Sequence, residues 1–254
     1  KKYAPSSGAT VADVIAYGEK CRHELEGLSG AATDRTALEN EIAGLERTVY
    51  TAAKAISEKR RAASDRMSKE VESILARLGM KDTRFRVGLS VKDGDDVEQK
   101  CGPYGMDNVE FLISANPGSP LLPLARIASG GELSRVMLAL KTILSAADTA
   151  GTLVFDEIDT GIGGEVAVAV GSHMKMLAAK KQVLCITHLA SIAVYAHNQM
   201  KIQKGVEGNT TATNVFPVTG QDRVREIARM LSGDSVSAQS LEHAASMLQK
   251  FGGE

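Results

Sequence analysis

The chain has 254 residues and a mass of 26.9 kDa, with 43% hydrophobic and 24% charged residues. This is ordinary globular composition, enough for one large domain or two modest ones, and it excludes wholesale disorder. Thirty basic residues against 31 acidic ones leave a net charge of −1, so bulk charge offers no general surface for nucleic acid or anionic lipid.

No apolar run approaches the roughly 18 residues that span a bilayer, so no membrane partner is expected. Lys1 to Thr10 is polar and lacks the apolar stretch of a signal peptide. Cys21, Cys101 and Cys185 are widely spaced and odd in number, which points to a reducing, cytoplasmic setting rather than a disulfide framework.

Residues 1–80 read as helical. Thr10 and Asp13 have the spacing of an N-terminal capping pair for a helix to about Leu28. Ser29-Gly30-Ala31-Ala32-Thr33 is expected to break it, and Asp34 to cap a second helix. There Leu38, Ile42, Leu45, Val49, Ala52 and Ile56 recur at alternating spacings of four and three, a heptad seam of the coiled-coil kind. Ala63, Met67, Val71, Ile74 and Leu78 continue it through a stutter, and Gly79 is the expected stop. From Asp34 to Leu78 such a helix extends roughly 67 Å, so the shorter first helix cannot cover the seam alone. Lys54, Lys59, Arg60, Arg61, Arg66 and Lys69 make one stretch basic. With Glu58, Asp65 and Glu70 interspersed, a solvated face accounts for it more economically than contact with DNA.

After Gly79 the period changes to that of strands. Phe85, Val87, Leu89 and Val91 form one strand, Asp93-Gly94-Asp95 a turn, Val109–Ser114 a second strand, and Asn116-Pro117-Gly118 a loop. A helix follows Gly131, then a strand over 152–155, a helix over 165–179 and a strand over 182–187. A hairpin around Gly205 and Gly208-Asn209 and two helices, about 222–231 and 237–251, close the chain. The alternation indicates an α/β layer with buried parallel strands.

Three motifs carry chemistry. In Ser129-Gly130-Gly131-Glu132, Ser129 and Glu132 have capping-box spacing, which accounts for a helix start but not for two glycines within it. Bare backbone at a helix N-terminus lets N–H groups approach a phosphate. In Thr152-Leu153-Val154-Phe155-Asp156-Glu157, an apolar strand ends abruptly in two acids, where α/β sheets hold ligands. Asp156 suits Mg²⁺ and Glu157 a general base, with Asp159 and a glycine-rich loop behind them. In Val183-Leu184-Cys185-Ile186-Thr187-His188, a second apolar strand ends in a polar pair, and His188 is read as a phosphate sensor.

In this order and spacing the motifs resemble the C-terminal lobe of an ABC-type ATPase head. Ser129, Gly130, Gly131 and Glu132 look like the signature motif, Asp156-Glu157 the Walker B pair, Asp159 the D-loop and His188 the switch histidine. The wider text, Cys101-Gly102-Pro103-Tyr104-Gly105-Met106-Asp107, Asn116-Pro117-Gly118 and Asp156-Glu157-Ile158-Asp159-Thr160-Gly161-Ile162, is similar to the RecN family of bacterial SMC-like DNA-repair ATPases. Ala4 stands where that family commonly has glycine.

The resemblance implies an α/β fold with a long N-terminal coiled-coil arm over 1–80 and a head lobe over 81–254. It implies ATP and Mg²⁺ as cofactors, and action on DNA in the cytoplasm or nucleoid. Implied partners are a second copy and an N-terminal half carrying the P-loop, since no Gly-x-x-x-x-Gly-Lys-Ser/Thr occurs here. A transporter ATPase would share the motifs but not the coil. A non-enzymatic scaffold would leave Asp156, Glu157 and His188 without purpose, and another SMC-type head remains the nearest alternative.

Overall fold

A computed structural model describes residues 10–127, 129–207, 210–233 and 237–252, with the backbone alone for 29–33, 206–207 and 210–212. The first helix, α1, runs unbroken from Val11 to Arg77. Its start is the expected capping pair: Thr10 N and Oγ1 donate to Asp13 Oδ2 at 3.0 and 2.7 Å, and Asp13 N donates to Thr10 Oγ1 at 3.3 Å. The break expected at 29–33 is absent, and the described residues from Val11 to Arg77 form one helix, not a hairpin. Ala31 and Ala32 are the strongest of helix formers, and a single glycine costs only about 1 kcal/mol when no proline accompanies it. The end is as expected. Gly79 is left-handed (φ +83°), and Met80 N donates back to Leu75 O at 2.9 Å, closing a Schellman turn.

Two compact units divide the chain: Lys1–Arg60 with Ser90–Asn108, and Arg61–Leu89 with Val109–Glu254. In the first, the heptad seam lies open, with Leu38 and Leu45 each 59% exposed and Ile42, Val49 and Ile56 also in solvent. Asp107 is buried against α1, accepting from Ser57 Oγ at 2.6 Å and Arg60 Nη1 at 2.9 Å. Beyond the expected turn at 93–95 lies a single helical turn, α2 (Val97–Lys100), capped by Asp96.

The second unit holds the main core. Strands β1 (Arg84–Val91), β2 (Asp107–Ser114) and β3 (Leu122–Pro123) follow one another in a sheet, with β2 and β3 antiparallel. The Asn116–Ser119 loop is a tight turn with Gly118 at φ +79° and Ser119 N on Asn116 O at 3.2 Å. Helices α3 (Gly130–Leu144) and α4 (Gly164–Ala178) pack with Val71, Leu75 and Leu78 of α1 around Phe85, Leu153 and Phe155.

Strands β4 (Thr152–Phe155) and β5 (Gln182–Cys185) pair in parallel, with Phe155 opposite Cys185. They are buried on one face only. Leu153 and Phe155 enter the core, whereas Val154 is 64% and Leu184 50% exposed. The expectation of fully buried parallel strands therefore needs correcting, because among the described residues only one face of this pair is covered.

A second cluster joins α5 (Ala190–Ala193), α6 (Gly220–Ser232) and α7 (Ala238–Met247) around Val194, Ile227 and Ala244. The last helix is α-helical to Met247 and finishes in a π-helical turn, Leu248–Gly252, so the expected helical stretch to about 251 is filled in two forms. The hairpin β6 (Gln199–Glu207) and β7 (Thr210–Val218) runs straight through Gly205, which pairs with Ala212 rather than turning. Its expected tip, Gly208-Asn209, lies outside the described residues.

Helical segments with few buried contacts open most readily. Amides between Leu38 and Ala52 should therefore exchange faster in dilute solution than those between Val136 and Leu140, where all but Met137 are buried. Hydrogen-exchange mass spectrometry of this chain checks this, and equal protection would show that the seam is already covered.

Candidate functional site

The parallel register of β4 and β5 brings two loop starts side by side. Past the last paired residues, Ile186 N still donates to Phe155 O at 3.0 Å, so Asp156 and Thr187 leave the sheet together. This is the carboxyl end of a parallel pair, the place where α/β sheets present functional groups.

The loop after β4 is tightly wound. Asp156 Oδ1 accepts from Glu157 N at 2.9 Å, and Thr160 N and Ile162 N donate back to Glu157 O and Asp159 O at 3.0 and 3.3 Å. Glu157 has φ +56°, the only non-glycine in the left-handed region among the described residues. A side chain held there is under strain of about 1–3 kcal/mol, a condition that recurs at functional sites. Ile158, fully buried, anchors the turn in the core and leaves the Asp156 and Glu157 side chains in solvent.

Asp159 turns inward. Its side chain is 6% exposed, and its Oδ2 accepts from Thr187 Oγ1 at 2.6 Å and His188 N at 2.8 Å, with His188 Nδ1 at 3.0 Å. The rest of the His188 ring is in solvent, the side chain being 75% exposed. Asp159 therefore fixes the orientation of His188 rather than presenting its own carboxylate outward.

The N-terminus of α3 meets the same loop. Ser129 caps it, accepting from Glu132 N at 3.4 Å as the spacing predicts, and Ser134 Oγ donates to Asp156 O at 2.8 Å. A Cβ on Gly130 would collide with Glu157 Oε2, and one on Gly131 would lie 3.1 Å from Glu157 O and 3.2 Å from Thr160 O. The glycine pair is thus where the helix start and the acidic loop touch. The six motif positions Ser129, Gly130, Gly131, Asp156, Glu157 and Asp159 fall in one place, with His188 joined to it through Asp159.

Cys185, between the two loops, is pushed up to about 12 by burial first and then by the charges of Asp159 and Asp156. Its thiol stays protonated and serves packing, not nucleophilic chemistry. The two carboxylates that raise it also make the mouth of the loop negative, a field that favours a cation. Among the described residues no three His, Cys, Asp or Glu side chains converge into a metal site of their own. Asp156, exposed at this mouth, is a single carboxylate that could serve as one ligand of a divalent cation.

No protein-family model matches the sequence. Individual relatives do. The chain is 51% identical over 249 residues to the DNA repair protein RecN of Treponema pallidum, covering 98% of this chain and 43% of that protein. It is 40% identical to the RecN of Deinococcus radiodurans over 95% of the chain and 41% of the relative. The chain is similar to RecN proteins along nearly its whole length.

It spans less than half the length of these RecN relatives. An Smc head domain with a coiled coil and joint from Pyrococcus yayanosii shares the fold, with a TM-score of 0.54 at 17% identity over 95% of this chain and 39% of that one. Four residues that the motif reading gave no role contribute contacts here: Ser134, Arg135, Thr160 and Thr187. Arg135 carries a signal nonetheless, since it stands on the inward face of α3 beside Gly131, Leu138 and Ala139, where an apolar residue is expected.

The two glycines should respond differently to a methyl group. At Gly131 it meets backbone oxygens that cannot yield, so Gly131→Ala should lower stability by about 1–3 kcal/mol. At Gly130 it meets the end of a flexible side chain, and alanine favours the helix, so Gly130→Ala should be nearly neutral. Thermal denaturation of the two variants separates them, and equal losses would place the contact elsewhere.

Proposed function

We propose that this chain is the carboxy-terminal portion of an SMC-like ATPase that acts in DNA double-strand-break repair. The observation that carries the reading is the convergence of Ser129-Gly130-Gly131 with Asp156, Glu157 and the Asp159–His188 pair in a chain similar to RecN proteins. Residues 1–80 serve as the coiled-coil arm and residues 81–254 as the head lobe.

Each residue has a role in this reading. Asp156 would hold a Mg²⁺ that offsets phosphate charge, and Glu157 accepts the proton of the water that attacks the γ-phosphorus. The bond to the β–γ bridging oxygen breaks, and ADP and phosphate leave. His188, steadied through Nδ1 by Asp159, would offer its exposed ring to the γ-phosphate. Ser129, Gly130, Gly131 and Glu132 at the start of α3 face a phosphate held by a second head, where backbone N–H groups and the helix dipole favour an anion. ATP and Mg²⁺ are the cofactors, and a second copy of the protein and DNA the partners.

The P-loop comes from an N-terminal portion of the same protein. The open faces of this chain support that assignment. Val154, Leu184 and Ile186 on one side of β4–β5, and Leu38 to Ile56 along α1, expose apolar side chains where a further lobe and a second helix would lie. No described helix is long and apolar enough to cross a membrane. The proposed place of action is on DNA in the cytoplasm.

The test is in the intact protein. Glu157→Gln should leave ATP binding intact while slowing hydrolysis by about 10²–10⁴-fold, and Asp156→Ala should weaken Mg²⁺-dependent nucleotide binding. Parental turnover by the Glu157→Gln protein would remove Glu157 as the base. The chain by itself, without a P-loop, should show no steady-state ATPase above buffer. Robust hydrolysis by a clean preparation, abolished in Glu157→Gln, would overturn the half-site reading.

A further inference from the structure

Arg135 is 7% exposed on the inward face of α3, among Gly131, Val136, Leu138 and Ala139. A guanidinium there must find acceptors for its N–H groups or forfeit their hydration. The acceptors it has are two backbone oxygens: Nη1 donates to Thr160 O at 3.1 Å and to Ile158 O at 3.4 Å. Its Nε is shielded from solvent and has no hydrogen-bond partner in the structure. Burial pushes the guanidinium's pKa down, with the Glu132 charge opposing, yet a group with so high an ordinary value keeps its proton. A charge placed at such disadvantage calls for an explanation beyond packing.

The two oxygens it holds flank Asp159. On one side of that pair the turn closes through Thr160 N on Glu157 O, and on the other the Asp159 carboxylate gathers Thr187 and His188. Arg135 itself touches neither Glu157 nor His188. It grips the backbone from which both are oriented, and it stands one turn along α3 from the Ser129-Gly130-Gly131 start. We infer that Arg135 is a positioning residue for hydrolysis, tying the phosphate-facing start of α3 to the loop that orients Glu157 and His188. This rests on the proposed function, and it concerns turnover, not the binding of ATP.

Two substitutions test it in the intact protein, with kcat, KM for ATP and thermal stability measured together. Arg135→Met nearly keeps the volume and removes the charge, leaving Ile158 O and Thr160 O without this donor, which is why stability is measured beside turnover. It should fold, hold KM within about twofold and lower kcat by about tenfold or more, as loss of charge-assisted hydrogen bonds predicts. Arg135→Lys restores one donor without the planar fork and should fall between the two.

Stability and turnover moving apart is the signature of positioning. Parental kcat in a folded Arg135→Met protein overturns the inference. So does failure of both variants to fold, or activity falling only in step with the folded fraction, because Arg135 would then serve the fold alone. Glu157→Gln, measured alongside, separates the two readings. If it retains parental turnover, the proposed function fails; if it blocks turnover while Arg135→Met does not, only the role of Arg135 fails.

Discussion

Asp159 Oδ2 receives a hydroxyl and a backbone N–H from the loop that follows β5, although Asp159 itself follows β4. That carboxylate joins the exits of two parallel strands, and the geometry of the whole site depends on it. Without the link, His188 would ride on an exposed loop, and the turn containing Glu157 would be held from one side only. The link works because Asp159 is buried. A carboxylate removed from water favours its few donors strongly, and N–H and O–H groups aimed at a charge form stronger bonds than neutral pairs do.

Around that oxygen the site is assembled from backbone more than from side chains. Ser134 reaches Asp156 O, Arg135 reaches Ile158 O and Thr160 O, and a Cβ on Gly131 would lie 3.1 Å from Glu157 O. Such contacts fix the path of the loop while leaving the Asp156 and Glu157 carboxylates in solvent. The strain at Glu157 is tolerated because its neighbours on both sides are held, Ile158 by the core and Asp156 by Ser134. A helix start, a strand end and a buried ion contact thus determine where two acids point.

The apolar surfaces tell of a chain whose own residues do not cover all its faces. Each large aliphatic side chain that is half in solvent forfeits on the order of 1 kcal/mol of burial. Val154, Leu184, Ile186, Leu38, Ile42 and Leu45 are all of this kind. They cluster on one face of β4–β5 and along one stripe of α1 rather than scattering singly. In the proposed assembly those are the faces of the further lobe and the second helix.

The sequence alone determined much that is local. Thr10 with Asp13 starts α1, Gly79 stops it, Ser129 caps α3, and Thr152–Phe155 is a strand, because caps, left-handed turns and short apolar runs depend on neighbours within a few residues. It also placed the motif residues in order, since their spacing is written in the chain. It misjudged 29–33, where the loss from one glycine was weighed above the propensity of two alanines, and it misjudged the burial of β4–β5, because apolar strands look alike whether one face or two are covered. Only the tertiary structure decided that Asp159 faces inward to His188, that Glu157 is left-handed, and that Arg135 binds the loop from beneath. Those facts are contacts between residues about 25 to 30 positions apart, or backbone angles imposed by them, and no periodicity or spacing encodes which side of a turn a carboxylate will take.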